Sequence, residues 1–435
     1  MNAGNRTLTD WLDHAGRVHA VGIDLGLARV GRVADALGFA APGRRPAPRS
    51  VIVAGTNGKG STCVALDTLL RGAGLRVGTT LSPHLHRFNE RVRVDGAALD
   101  DATLAGAFAA VEAARADVPL TYFEFAALVA LYCFRAARVD VAVLEVGLGG
   151  RLDAFNLVDA DVAVITSIGL DHQTYLGDDL EGIGREKAGV MRPGQRVVLG
   201  ADVTGSVVEA ARWLGCRTTR LGVDFHIERA GSTWDWHGER RSVRSIPLGA
   251  LAPDNCALAL EVADALDAWP EDPRDALAGA HLEGRMEAWR IGDRCVLLDV
   301  AHNPAGARFL AGELERRHPG RRFVAVFGML ADKDAPGVVD ALSERVAGWI
   351  CVGTRGPRGL SADALRTRIA TRVSAAAASD AAQALDQACS AGGPLDGILA
   401  FGSFDLVEQM RDVLLTGHAG AVPERPAGSA GKANP

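Results

Sequence analysis

Short runs of aliphatic and β-branched residues alternate with Ala- and Leu-rich stretches along the first part of the chain. Runs such as VAVLEV and DVAVITSI are apolar on both faces, as suits strands covered from both sides. Their alternation with helical stretches predicts a mostly parallel α/β sheet. Strands are expected at Val51–Ala54, Arg76–Leu81, Val139–Val146, Val162–Ile168 and Arg196–Leu199, and helices at Lys59–Arg71, Asp101–Ala116, Phe123–Ala137 and Glu181–Val190.

The rhythm breaks between Gly200 and Leu251, where Trp234, Trp236 and many charges suggest an irregular, antiparallel excursion. It restarts after about Arg285, where CVLLDVAHNP, RFVAVFGML, GWICVGT and GILAFGSF each precede a helical stretch. Two domains are therefore predicted, 1–285 and 291–416, followed by a Pro/Gly/Ala-rich disordered tail over 417–435. No internal repeat interrupts this division.

Composition narrows the functional classes. A formal charge of −6 over 435 residues gives no general attraction to nucleic acid or anionic lipid. Any bound anion must be held by a local site. Seven cysteines are scattered singly, without C-x-x-C, which favours reduced buried thiols over a disulfide or zinc framework. The apolar run FAALVALYCF is about half of what a membrane helix needs. The N-terminus lacks the basic start and apolar core of a signal peptide. A cytoplasmic protein is expected, without nucleic-acid or membrane partners.

In parallel sheets ligands bind beyond the carboxyl ends of the strands, and three predicted strand ends carry chemistry. The first runs into GTNGKGST, where Gly55, Gly58 and Gly60 let backbone N–H groups face an anion at a helix N-terminus. Lys59 suits the outer phosphates of a nucleotide, and the Ser61 or Thr62 hydroxyl suits Mg²⁺. The spacing is not the common G-x-x-x-x-G-K followed by Ser or Thr, because Gly60 separates lysine from serine. The second strand ends on Glu145, and the third leads to Asp171 and His172. A buried acid demands a cationic partner, which for Glu145 is either a basic side chain or a metal. His172 is either a hydrogen-bonded structural histidine or a ligand. Lys187, in GREKAG, reads on pattern alone as part of a solvated charged face. In the second domain Asp299, leaving its strand in LLDVAHNPAG, suits a ribose hydroxyl, with His302 and Asn303 beside it; a capping Asp and a turn Asn are the alternative.

The segments AGTNGKGST, SPHL, TYFEF, LEVGLGGRLDAFN, TSIGLDH, GREKAG, DVAHNP, GMLADKD and FGSF, in this order from about Leu8 to Val413, resemble the folylpolyglutamate synthase/dihydrofolate synthase family of the Mur-ligase superfamily. The glycine between lysine and serine is that superfamily's own loop form. The resemblance implies a large mononucleotide-binding domain of P-loop type and a smaller Rossmann-like C-terminal domain. It implies an ATP-dependent ligase that adds L-glutamate to dihydropteroate or to the glutamate tail of a folate, through an acyl phosphate. A monomer is expected. By the same resemblance Gly55, Thr56, Asn57, Gly58, Lys59, Gly60, Ser61 and Thr62 hold ATP with Asn255, Arg285, Asp299, His302 and Asn303. Ser61, Ser82, Glu145, His172 and Lys187 surround two Mg²⁺ ions, with a monovalent cation as a further companion. Lys59, Lys187 and His172 are the implied catalytic groups, Lys187 as a carbamate. Phe123, Asp153 and Ala154 match a pterin-binding surface. Two departures stand out: Phe155 replaces a usual threonine, and LAPDN precedes Asn255 where many members carry a His-Gln pair.

Overall fold

In the computed structural model, which describes residues 6–39, 43–391, 393 and 397–424, the apolar runs of the first part of the chain assemble side by side. They form an eight-stranded sheet of order β4-β3-β2-β5-β1-β6-β7-β8. Its strands are β1 (Arg49–Ala54), β2 (Val77–Thr80), β3 (Val92–Val94), β4 (Ala97–Ala98), β5 (Val141–Glu145), β6 (Val162–Ile165), β7 (Arg196–Leu199) and β8 (Arg217–Arg220). Pairing is parallel from β2 through β8, while β3 and β4 add an antiparallel margin. β1, β5 and β6 are buried along nearly their whole length, which explains why their sequences lack alternation. From β1 the chain first builds outward to β2 and β5, then crosses to β6 on the other side. The carboxyl ends of β5, β1 and β6 therefore lie side by side at the topological switch point.

The expected helices are present as Lys59–Gly72, Asp101–Arg115, Tyr122–Ala137 and Leu180–Ala188. Asp100, Thr121 and Asp179 cap the last three, each accepting a backbone N–H of the first turn. β6 stops at Ile165 rather than at the expected Ile168 because the next hydroxyls turn to the phosphate loop: Thr166 Oγ1 and Ser167 Oγ both donate to the Asn57 carbonyl.

The Gly200–Leu251 excursion divides in two. Its first part continues the parallel sheet through the helix Gly205–Trp213 and β8. Its second part is the antiparallel sheet β9 (His226–Ala230), β10 (Thr233–His237) and β11 (Ser242–Pro247), with Trp234 and Trp236 buried on one face.

The chain divides into two compact units, Met1–Leu248 with Pro253–Ala280, and Gly249–Ala252 with His281–Pro435. The second unit holds β12 (Glu287–Ile291), β13 (Arg294–Asp299), β14 (Phe323–Phe327), β15 (Val346–Cys351), β16 (Ala375–Ala377), β17 (Gly397–Phe401) and β18 (Ala421–Pro423), in the order β16-β15-β14-β17-β13-β12-β18. β12 and β18 are antiparallel additions. β18 corrects the expected tail: residues 421–423 pair with Trp289–Ile291, and Glu424 binds Arg290 at 2.8 Å. A polar, Pro-rich composition hid a strand that needs only backbone groups to cover an edge. Residues 425–435 lie outside the described residues. All seven cysteines are free thiols. Among the described residues no helix is long and apolar enough to cross a membrane.

Candidate active site

Gly55 follows β1 with φ 146° and Gly58 precedes the Lys59–Gly72 helix with φ 86°. Both are also sterically closed. A Cβ on Gly55 would lie 1.9 Å from Thr166 Oγ1, and one on Gly58 would lie 2.4 Å from Asn255 Oδ1. The loop is fixed to the end of β6 by further bonds: Thr56 N donates to Ser167 O, Asn57 N to Ser167 Oγ, and Thr56 Oγ1 to Gly169 O. Asn255, on the helix Pro253–Ala265, thus stands against the loop.

Two lysines meet at this turn. Lys59 Nζ donates to Gly55 O at 3.1 Å and to Thr56 O at 3.2 Å, while Lys187 Nζ donates to the same Gly55 carbonyl at 2.8 Å. Lys187 does not lie on a solvated face. With Ile183, Gly184 and Ala188 it forms the buried side of its helix and is only 5% exposed. Burial first, and then repulsion from Lys59, push its amine down to about 7, although Asp171, Asp153 and Glu186 pull the other way. Glu186 is held by Arg151 at 3.0 Å, and Arg151 N donates to Glu186 O, which ties this helix to the loop after β5.

Glu145 ends β5 and is 4% exposed. Its Oε2 accepts the Ser82 N–H at 2.8 Å, so two of the implied metal groups adjoin. Ser61 and Thr62 are buried on the first turn after Lys59, and the Thr62 hydroxyl has no hydrogen-bond partner among the described residues. Hydroxyls, a buried carboxylate and a glycine cradle form an oxygen donor set of the kind Mg²⁺ takes together with nucleotide phosphates. His172 lies beyond β6, at the start of the short helix Gln173–Leu176, in the left-handed region with φ 51°. Its amide donates to the Asp171 carboxylate.

The loop 147–157 folds around Asp153, whose carboxylate accepts the N–H groups of Gly147, Leu148 and Phe155. Burial nevertheless raises its carboxyl to about 6. Asp153 is thus a loop organiser, whereas Phe123 is the half-buried aromatic next to it. Phe123 meets Phe155 edge-on with centroids 5.8 Å apart, and closes on Gly147, where a Cβ would lie 2.4 Å from its ring. Phe155 and Ala154 are buried.

In the second unit Asp299 ends β13 and accepts the N–H groups of Met286 and Ala301. Its carboxyl is raised by burial, and Arg285 opposes the shift. Arg285 lies over the Phe404 ring at 5.1 Å, and the His302 ring is 6.3 Å from the same phenyl. Asn303 caps the helix Pro304–Arg317 by accepting Gly306 N–H. Sequence reasoning missed the hydroxyls of Thr166 and Ser167 and the ring of Phe404. The only signals available were a hydroxyl pair at a strand end and an aromatic closing FGSF.

Residues 284–404 match the model of the Mur ligase glutamate ligase domain. Together with two mostly parallel α/β units and a glycine loop at the switch point, this defines an α/β ligase of the Mur type. The dihydrofolate synthase/folylpolyglutamate synthase of Escherichia coli (strain K12) is 41% identical over 410 residues, spanning 94% of this chain and 95% of its own. The counterpart of Haemophilus influenzae is 37% identical over 92% of this chain and 96% of its own. The solved structure of E. coli FolC in complex with DHPP and ADP matches with a TM-score of 0.89 at 39% identity, over 96% of this chain and 99% of that one. The Yersinia pestis enzyme complexed with AMPPNP and Mn ion matches with a TM-score of 0.87 at 42% identity, over 94% and 98%. The chain belongs to the dihydrofolate synthase/folylpolyglutamate synthase family, and is an ATP-dependent ligase.

Proposed function

We propose that this chain forms an amide between L-glutamate and dihydropteroate, the glutamate tail of a folate, or both. A carboxylate resists amines because its leaving group is poor and its charge repels the nucleophile. Transfer of the ATP γ-phosphoryl group to a carboxylate oxygen removes both obstacles. The glutamate amine then attacks the acyl carbon, and the C–O bond to phosphate breaks. The observation that carries this reading is the pair of lysines on the Gly55 carbonyl, set in a phosphate loop at the switch point.

In this reading the amides of the Gly55–Thr62 segment cradle the phosphates. Lys59 leaves its two loop carbonyls for the outer phosphates and follows the charge that spreads over the transferring group. Ser61, Ser82, Glu145 and His172 hold divalent metal, which supplies electrostatic stabilisation to the phosphoryl oxygens when bound. Lys187, with an amine at about 7, has a large neutral fraction near neutral pH. Its nitrogen can therefore attack CO₂, lose a proton to water and become a carbamate, a carboxylate that adds to the metal donor set. In the second unit Asp299, Arg285 and His302 are the proposed nucleotide contacts. The Phe123 surface beside the 147–157 loop is the proposed pterin contact.

Phosphate release measured with dihydropteroate, tetrahydrofolate or a UDP-muramoyl peptide, each with and without L-glutamate, tests the reading. Release that needs a pterin-bearing acid together with glutamate is expected. Release without glutamate indicates a plain nucleotidase, and release only with the UDP substrate indicates a cell-wall ligase; either overturns it. Lys187→Ala should lower synthesis about a hundred- to a thousandfold, on the scale of losing a central electrostatic group. The intact protein in bicarbonate should carry the added mass of one CO₂, absent in the variant.

A further inference from the structure

The small antiparallel sheet carries a cluster that the ligase chemistry does not use. Alternation along β10 sends Trp234 and Trp236 inward and leaves Thr233, Asp235 and His237 on the other face. On β9 that face holds His226 and Glu228, because His226 pairs with His237 and Glu228 with Asp235 across the ladder. The two imidazoles stack with centroids 4.8 Å apart and 18° between their planes. Glu228 reaches both rings: one oxygen lies 3.8 Å from His226 Nε2 and the other 4.0 Å from His237 Nε2. These separations are too long for hydrogen bonds. His237 Nε2 is shielded from solvent and has no hydrogen-bond partner among the described residues.

We propose that His226, Glu228 and His237 form a binding site for a divalent transition metal of the zinc type, with water completing the coordination. One ligand atom from each residue lies within 4.8 Å of the others. Bonds of about 2.0–2.1 Å in a tetrahedron place donors about 3.3 Å apart. Rotation of the exposed His226 and Glu228 side chains makes up the difference. Two imidazoles among three side chains select zinc, copper or nickel, whereas Mg²⁺ prefers a set made mainly of oxygen donors, as at the phosphate loop. The magnesium that serves phosphoryl transfer therefore does not fill this site. A bound ion satisfies the orphaned His237 nitrogen and ties β9 to β10 on the face opposite the two tryptophans.

The test is calorimetric titration of Zn²⁺ into the tag-free, full-length protein with Mg²⁺ in excess, so that oxygen-donor sites are already occupied. One saturable equivalent is expected, accompanied by a rise in Tm. His226→Gln and His237→Gln should each weaken it tenfold or more, while Mg²⁺-dependent ligase turnover stays at the wild-type level and shows that the variants are folded. Cobalt should give the visible absorption of a tetrahedral site in the wild type and lose it in both variants. Absence of saturable zinc binding, or equal affinity in the wild type and the double variant, overturns the proposal.

Discussion

At the scale of single residues the site depends on groups held against their ordinary preferences. Lys187 is the clearest case. A lysine lowered to about 7 in the folded protein carries a folding penalty on the order of a few kcal/mol, at about 1.4 kcal/mol per pKa unit. Because the folded value lies below the unfolded one, the penalty is full below about pH 7 and fades as the pH rises toward 10.5. Lys187→Met in bicarbonate-free buffer should therefore be inactive yet more stable than the wild type, with the gain largest below pH 7; denaturation midpoints across pH check this. The burial was not legible in GREKAG, since a lysine that follows Arg185 and Glu186 looks solvated until the helix face is known; only its role was implied, through the resemblance. Gly58 was legible as loop chemistry, but its collision partner was not. Gly58→Ala should cost nucleotide affinity at least about tenfold, because a positive φ carries a strain of about 1–2 kcal/mol and Asn255 closes the space. Nucleotide titration measures it.

At the scale of elements, strand ends were the informative feature. Continuous apolar runs fixed the positions of β1, β5 and β6, and with them Glu145 and the phosphate loop, to within a few residues. Their adjacency follows from the crossing at β1. The loop after β5 was read only through a resemblance, and its internal economy rests on Asp153. Asp153→Ala leaves three backbone N–H groups without their acceptor and should destabilise the first unit by roughly 2–4 kcal/mol; Asp153→Asn, which keeps one acceptor oxygen, should cost less. Denaturant midpoints separate the two. Edge elements were invisible for a different reason. β18 pairs through backbone atoms and one ion pair, so no apolar pattern marks it. Removing residues 421–435 should uncover β12 and lower the Tm of the second unit by a few degrees, on the scale of about 1 kcal/mol, which calorimetry can follow.

At the scale of the whole molecule, the two-unit α/β plan could be read from the restart of the strand–helix rhythm. The division nevertheless differs in detail, because Gly249–Ala252 groups with the second unit although the helix that follows belongs to the first. Such an exchange leaves no trace in hydrophobic periodicity, which reports neighbours along the chain rather than across it. The central claim is that one carboxylate oxygen passes to phosphate before the amide forms. Dihydropteroate carrying heavy oxygen in its carboxylate, incubated with ATP, Mg²⁺ and L-glutamate, tests it directly. The account predicts one heavy oxygen in each released phosphate. Phosphate without label, its oxygen drawn from solvent water, would contradict it.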